Sequence, residues 1–377
     1  MSERKKELQE LDALFKEFRH AAKHLFGYTI SLLFNYSKLL RFLKFPINNI
    51  GDPYSEPSYL RINTLSIEKK VVDRLADLFH APKKDRWGYV TNGGTEGNLH
   101  SLYIARELYP KGIVFLSDQT HYSAIKSLRI LRMPYFLIKS QLSGEINYEL
   151  LEKAIQKHCK HKPPILFVNI GTTMKGAIDD LSQILKILSR LKIKQKYIHC
   201  DAAFYGMVLP FIPNLTKSFD FRAGIDSIVI SGHKMIGSPI PCGVIITKES
   251  HVARIETAIE YVGINDRTVS GSRNGITPLF LWHELVSSRS SHFETRVAGC
   301  FEKASYIIEK FNAKGVKAWK NPYSLTIILP RPSEKLARKW QLPVQGKMCC
   351  MIALPQLTYK MIDKFIKEFV SDLECSS

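Results

Sequence analysis

The residues best placed to do chemistry are Ser231-Gly232-His233-Lys234, directly after the apolar run SIVIS and before the Gly/Pro-rich stretch MIGSPIPCG. A lysine leaving a buried strand is poorly explained by packing, because an unpaired buried ammonium is costly. Held as an imine, or made less basic in an enclosed site, the same amine becomes a nucleophile. A lysine that merely snorkels to water at a strand end is the plainer reading, and SGHK alone does not separate the two. A second residue narrows the choice. YIHCDAAF reads as a short buried strand ending in Asp201, followed by two small residues. In α/β sheets ligands bind beyond the carboxyl ends of strands, so an acid there faces a site. The plainer role for such an acid is a helix N-cap.

Two more segments fall in the same setting. Asn92-Gly93-Gly94-Thr95-Glu96-Gly97-Asn98 joins the strand WGYV to a helix beginning near Leu99. Its glycines permit a tight turn, and the helix N-terminus offers free N–H groups to a phosphate. It has neither the ending of a P-loop nor the spacing of a dinucleotide fingerprint. His121, in LSDQTHYSAIK, follows the run Ile113–Leu116 at another strand-to-helix junction. A lone histidine is more often structural than catalytic, but an imidazole here could stack on a flat cofactor. A phosphate turn, a histidine, an aspartate and a lysine thus all fall at carboxyl ends of strands. Together they are the parts needed to bind pyridoxal phosphate (PLP). The aspartate would keep the pyridine nitrogen protonated, and the protonated ring is an electron sink.

The elements that must position these groups are legible. From Ile67 onward helical stretches alternate with short apolar runs at Gly88–Thr91, Ile113–Leu116, Tyr135–Ile138, Ile165–Ile170, Tyr197–Cys200, Ser227–Ile230 and Gly243–Thr247. Such runs predict an α/β domain with a largely parallel sheet covered on both faces. The pair 227–230 and 243–247, joined by a Gly/Pro loop, need not be parallel. Leu8, Leu11, Phe15 and Phe18 predict an amphipathic helix over residues 5–24. A second helical stretch, Tyr36–Phe45, ends at Pro46, and NNIGDPYSEPSY reads as an irregular linker. After Pro278 the pattern becomes a long helix, Leu279–Ala313, then strand candidates at Val316–Lys320, Ser324–Leu329 and Met348–Leu354, and a last helix from Thr358. This gives an N-terminal helical segment (1–48), a large PLP-binding domain (49–280) and a small C-terminal α+β domain (281–377).

Bulk properties exclude several classes. At 377 residues the chain exceeds one small core, and 45% hydrophobic with 24% charged residues is the balance of a soluble globular protein. The longest apolar run, Leu25–Phe34, is too short to span a bilayer, and the N-terminus is charged from its start, so a cytoplasmic location is expected. Seven cysteines without a CxxC pair or zinc-like spacing predict free thiols and no metal. The net charge of +19 is scattered, with short clusters at Lys157–Lys162 and Lys192–Lys196 that lack interleaved aromatics, so a solvated basic surface is favoured over nucleic-acid binding.

These segments resemble the PLP-dependent group II amino-acid decarboxylases, which have the type I (aspartate aminotransferase-like) fold. The resemblance runs from about Asn35 to the end and rests on LLRFLKFPINNIGDPY, WGYVTNGGTEGN, THYS, NIGTTMKGAIDD, HCDAA, SGHKMIGSPIPCG and SGSRNG. It looks nearest to the bacterial histidine decarboxylases and the related plant serine decarboxylases. It implies that Lys234 holds the cofactor covalently, that Asp201 pairs with the pyridine nitrogen and that His121 stacks over the ring. Gly94 and Thr95 would bind the phosphate, helped by Ser231 and His233. Ala203 would pack on the opposite ring face, and Asn169 would lie near the phenolic oxygen. A homodimer with sites drawing on both subunits is implied as well. Tyr261, in EYVGINDRT, is the candidate acid that protonates Cα, against the alternative of a surface aromatic at a helix end.

The sequence departs from that pattern in three places. Gly27-Tyr28-Thr29 stands where Gly-Tyr-Pro is expected, Ile276 follows SGSRNG in place of His, and Phe204-Tyr205 is bulkier than expected. These departures bear on the substrate, not the cofactor. L-Histidine is the expected substrate, giving histamine and CO2. L-Serine, giving ethanolamine, is the first alternative; an aldehyde-forming oxidative deamination and a binding protein on an inactive scaffold are others.

Overall fold

The computed structural model describes residues 3–55, 58–287 and 290–375. Contacts divide the chain into two compact units, one of residues 33–297 and one of residues 1–32 with 298–377.

The first unit is built on a seven-stranded mixed sheet. Its strands are β1 (Trp87–Thr91), β2 (Ile113–Ser117), β3 (Tyr135–Ile138), β4 (Pro164–Asn169), β5 (Tyr197–Asp201), β6 (Ser227–Ser231) and β7 (Gly243–Thr247), in the order β1-β7-β6-β5-β4-β2-β3. β7 runs antiparallel to both neighbours, and every other pairing is parallel. β1 to β6 therefore all end at one edge of the sheet. Every residue of β1, β2, β4, β6 and β7 is buried, as a sheet covered on both faces demands. Helices supply the covers. Leu65–Leu78 turns Val71, Val72, Leu75 and Ala76 inward, and Leu181–Arg190 turns in Leu181, Ile184, Ile187 and Leu188. Asn147 and Asp180 cap the helices that follow them through Leu150 N–H and Ser182 N–H.

The segment read as an irregular linker is more ordered than expected. Asn48–Ile50 is a strand paired antiparallel with Ser272–Asn274, inside SGSRNG. Asp52 is fully buried; it accepts from Trp87 Nε1 at 2.9 Å and pairs with Arg267 at 2.8 Å. Glycine and proline set its turns, but tertiary partners fix it. The stretch expected as a helix at 36–45 is a 3-10 helix, Ser37–Lys44. Within the expected helix 279–313, two helices are described, Ile276–Ser287 and Ser290–Asn312.

In the second unit, Thr326–Pro330, Met348–Ile352 and Val344–Gln345 form an antiparallel sheet, and Thr358 caps the helix Tyr359–Glu374. A short helix, Glu334–Lys339, was not anticipated, although Ser333 caps it through Leu336 N–H. Phe26 packs edge-on against Trp340 and its carbonyl accepts from Ile352 N–H, which ties the N-terminal residues to this unit.

Candidate active site

β1 delivers the glycine turn. Gly93 has φ +151°, a conformation that favours glycine, and the helix Gly94–Leu108 starts directly after it. Thr91 Oγ1 donates to Gly93 O at 2.8 Å. Glu96 reaches back to accept from Asn92 N, Asn92 Nδ2 and the Tyr89 hydroxyl, so the turn is held from both sides. The first amides of this helix, at Gly94 and Thr95, have no intrahelical acceptor. A Cβ at Gly94 would lie 2.9 Å from Ser231 Oγ and 3.8 Å from the Ala203 methyl. The turn, the end of β6 and the residue after Asp201 therefore meet at one place.

Asp201 ends β5, paired in register with Asn169 at the end of β4. Its Oδ2 accepts from Asn98 Nδ2 at 2.8 Å and its Oδ1 from Ala203 N at 3.2 Å. Ser231 N donates to Ala203 O at 2.9 Å, which stitches β6 to the segment after β5. Lys234 sits in a single π-type turn, Gly232–Ile236, with φ −88° and ψ −108°. Burial holds its amine below the ordinary lysine range, and Asp201 opposes that shift. His233 Nδ1 lies 2.9 Å from Cys242 O, and burial likewise lowers its basicity.

His121 caps the helix Tyr122–Ile130, with Nδ1 2.8 Å from Ser123 Oγ and accepting from Ser123 N–H. That leaves Nε2 to carry the proton of the neutral ring. Burial lowers the basicity of His121; Asp201 works against this and Lys234 with it. The three groups therefore lie within electrostatic reach of one another at the carboxyl edge of the sheet. Asn169 is turned partly away from them, donating both its backbone N–H and Nδ2 to Asp179 Oδ2. Burial pushes the Asp179 carboxyl up to about 6.

Gly94, Thr95, His121, Asn169, Asp201, Ala203, Ser231, His233 and Lys234 thus all lie at the carboxyl edge of the sheet. Tyr261 does not join them: it is 84% exposed, in the turn between the short strands Thr257–Ile259 and Ile264–Asp266. The bulk of Tyr205 is absorbed by packing, since its ring lies where a Cβ at Gly171 would stand. Sequence reasoning missed Asn98 and His199, the polar groups behind Asp201. His199 lies two residues from Asp201 on the same face of a strand, and that spacing was the available signal. Among the described residues no group of histidine, cysteine and acidic side chains could hold a metal, and all seven cysteines are free.

The residues present fit pyridoxal phosphate. A glycine turn closed by a serine hydroxyl suits the phosphate, a carboxylate with fixed donors suits the ring nitrogen, and an amine kept less basic suits covalent attachment. With the mixed seven-stranded sheet, this site defines a type I PLP enzyme. Residues 59–277 match the family model described as the pyridoxal-dependent decarboxylase conserved domain. A histidine decarboxylase from Morganella morganii is 43% identical over 349 residues, covering 92% of each chain. One from Acinetobacter baumannii is 42% identical over 366 residues, covering 96% of this chain and 95% of that one. The crystal structure of L-methionine decarboxylase from Streptomyces sp. 590 with L-methionine methyl ester superposes with TM-score 0.89 at 26% identity, over 99% of this chain and 95% of that one. The chain belongs to the pyridoxal-dependent decarboxylase family.

Proposed function

We propose that the protein decarboxylates L-histidine to histamine and CO2, with Lys234 as the covalent anchor of its cofactor. The observation that carries the substrate is similarity of 42–43% to histidine decarboxylases along more than nine-tenths of the chain. Bound PLP supplies the electron sink for the pair released from the Cα–carboxylate bond. Asp201 would hold a proton at the ring nitrogen, and His121 and Ala203 would pack against the ring. Gly94 and Thr95, with the Ser231 hydroxyl and His233, would bind the phosphate, and Asn169 would serve the phenolic oxygen. One proton enters at Cα as CO2 leaves, which balances the reaction. Tyr261 is the proposed donor.

We further propose a cytoplasmic homodimer. Leu8, Leu11, Phe15 and Phe18, expected as the apolar face of the first helix, are 57–63% exposed on the helix Glu3–Ala21. A second copy of this chain is the occupant that suits this face. The exposure of Tyr261 fits a residue that completes the site of that copy. No helix among the described residues is long and apolar enough to cross a membrane.

The substrate is tested by comparing kcat/KM for histidine, serine, tyrosine and tryptophan with amine product as the readout. Histidine should lead. A rival ahead by about tenfold, or about 1.4 kcal/mol of transition-state preference, would overturn the histidine assignment and leave decarboxylation standing.

A further inference from the structure

A continuous chain of buried hydrogen bonds runs from Asp201 through the sheet. Asn98, in the helix after the glycine turn, donates from Nδ2 to Asp201 Oδ2 at 2.8 Å. Its Oδ1 lies 2.9 Å from His199 Nε2, and His199 Nδ1 lies 2.9 Å from Ser227 Oγ. Ser227 Oγ is in turn 2.7 Å from Ser101 Oγ and 3.1 Å from the Tyr197 hydroxyl. Asn98 is 2% exposed, and His199, Ser101, Ser227 and Tyr197 are fully buried.

The carboxylate fixes the polarity of the whole chain. An ionised carboxylate only accepts, so the Asn98 amine faces it and the Asn98 carbonyl faces His199. That carbonyl needs a donor, which sets His199 as the Nε2–H tautomer. Nδ1 is then bare and accepts a hydrogen bond from the Ser227 hydroxyl, leaving Ser227 Oγ to accept from Ser101 or Tyr197. Burial lowers His199 to about 4, so the neutral ring this requires is its resting form. Reversing any one bond would strand a buried donor or acceptor.

We propose that Asn98 and His199 are positioning residues that hold the Asp201 carboxylate in a single rotamer, so that it presents one fixed acceptor edge to the cofactor's ring nitrogen. The proposal rests on the reading of Asp201 given above. Two elements are clamped by one chain: the helix carrying the phosphate turn at its start, and the strand carrying the acid. The phosphate and ring-nitrogen contacts are thereby held at a constant spacing.

The test uses the full-length holoenzyme and its apo form, with His199→Phe, His199→Gln, Ser227→Ala and Asp201→Asn. His199→Phe keeps the edge-on aromatic contact with Phe167 but has no donor. His199→Gln returns an N–H near the Nε2 position. PLP affinity is read by titrating the apoenzyme, and the visible spectrum of bound cofactor is recorded against pH. Losing the donor to the buried Asn98 carbonyl predicts roughly a tenfold weaker PLP affinity and a tenfold lower kcat in His199→Phe, with KM within about twofold. The spectrum should shift toward that of Asp201→Asn. His199→Gln should recover most of each effect, and Ser227→Ala, one link further out and well tolerated in size, should shift the same readouts in the same direction by less. Unchanged PLP affinity and spectrum in Ser227→Ala together with His199→Phe, or a His199→Gln variant as impaired as His199→Phe, would overturn the proposal. If Asp201→Asn itself leaves affinity and spectrum unchanged, the reading of Asp201 fails instead. The two failures are therefore distinct.

Discussion

Single side chains in this molecule act through how far they are removed from water. Lys234 and His121 both lose basicity through burial, and Asp201 opposes the shift in each. The same physics works outside the site. His100 is fully buried, with its ring against Trp87 and Tyr89, and burial drops it from about 6.5 to about 3. Unfolded, it binds a proton below about pH 6.5; folded, it stays neutral until about pH 3. Between those limits the unfolded state holds the extra proton, so stability is complete above about pH 6.5 and falls as the pH drops through the window. Its contribution to the slope is about 1.4 kcal/mol per pH unit. Urea denaturation of His100→Phe between pH 6.5 and 4 should be correspondingly less pH-dependent than that of the parent. Equal slopes would show that this ring is not held neutral by the fold.

At the scale of elements, the glycine turn and the end of β6 depend on each other. A methyl at Gly94 would meet Ser231 Oγ at 2.9 Å, and a serine hydroxyl can rotate away. Gly94→Ala should therefore fold with little change in thermal midpoint. It should bind PLP roughly tenfold or more weakly, since a hydrogen bond to a charged group contributes about 1.5–3 kcal/mol. Apoenzyme titration measures this, and parental affinity would remove Ser231 from the phosphate site. Gly88→Ala is the contrast. Its Cβ would lie 2.1 Å from the Ile245 carbonyl, so that variant should fail in folding.

This coupling also explains what could be read in advance. The sheet strands were legible because a strand buried on both faces is a nearly unbroken apolar run, and a site at their carboxyl ends follows from that alone. Lys234, Asp201 and His121 stood out as polar residues at strand ends. Asn98 and His199 did not, because each is ordinary until a helix and two strands bring it to its partner. The strand Asn48–Ile50 was hidden for a similar reason: its partner lies more than 220 residues away. Glycine and proline in that segment mark turns, and say nothing of a distant ladder.

At the scale of the whole molecule, the net charge of +19 and the exposed apolar face of the first helix are what remain outside the site. Lys157, Lys160, Lys162, Lys192 and Lys194 are all exposed, as a solvated basic surface requires. The apolar face is different, because water gains nothing from Phe15 and Phe18 at 63% and 61% exposure. Placing glutamate at both positions should dissociate the proposed homodimer at micromolar concentration in sedimentation velocity, with lowered activity if Tyr261 serves the other copy. An undiminished dimer would move the interface elsewhere.

The central claim is that Lys234 carries the cofactor covalently, and Lys234→Ala tests it most directly. The purified parent should be yellow, with a visible band that borohydride bleaches and a phosphopyridoxyl group then retained on the peptide containing Lys234. The variant should lack that band, retain no such group and show no amine release from histidine. Near-parental turnover in Lys234→Ala, or borohydride labelling of a different lysine in the parent, would contradict the account.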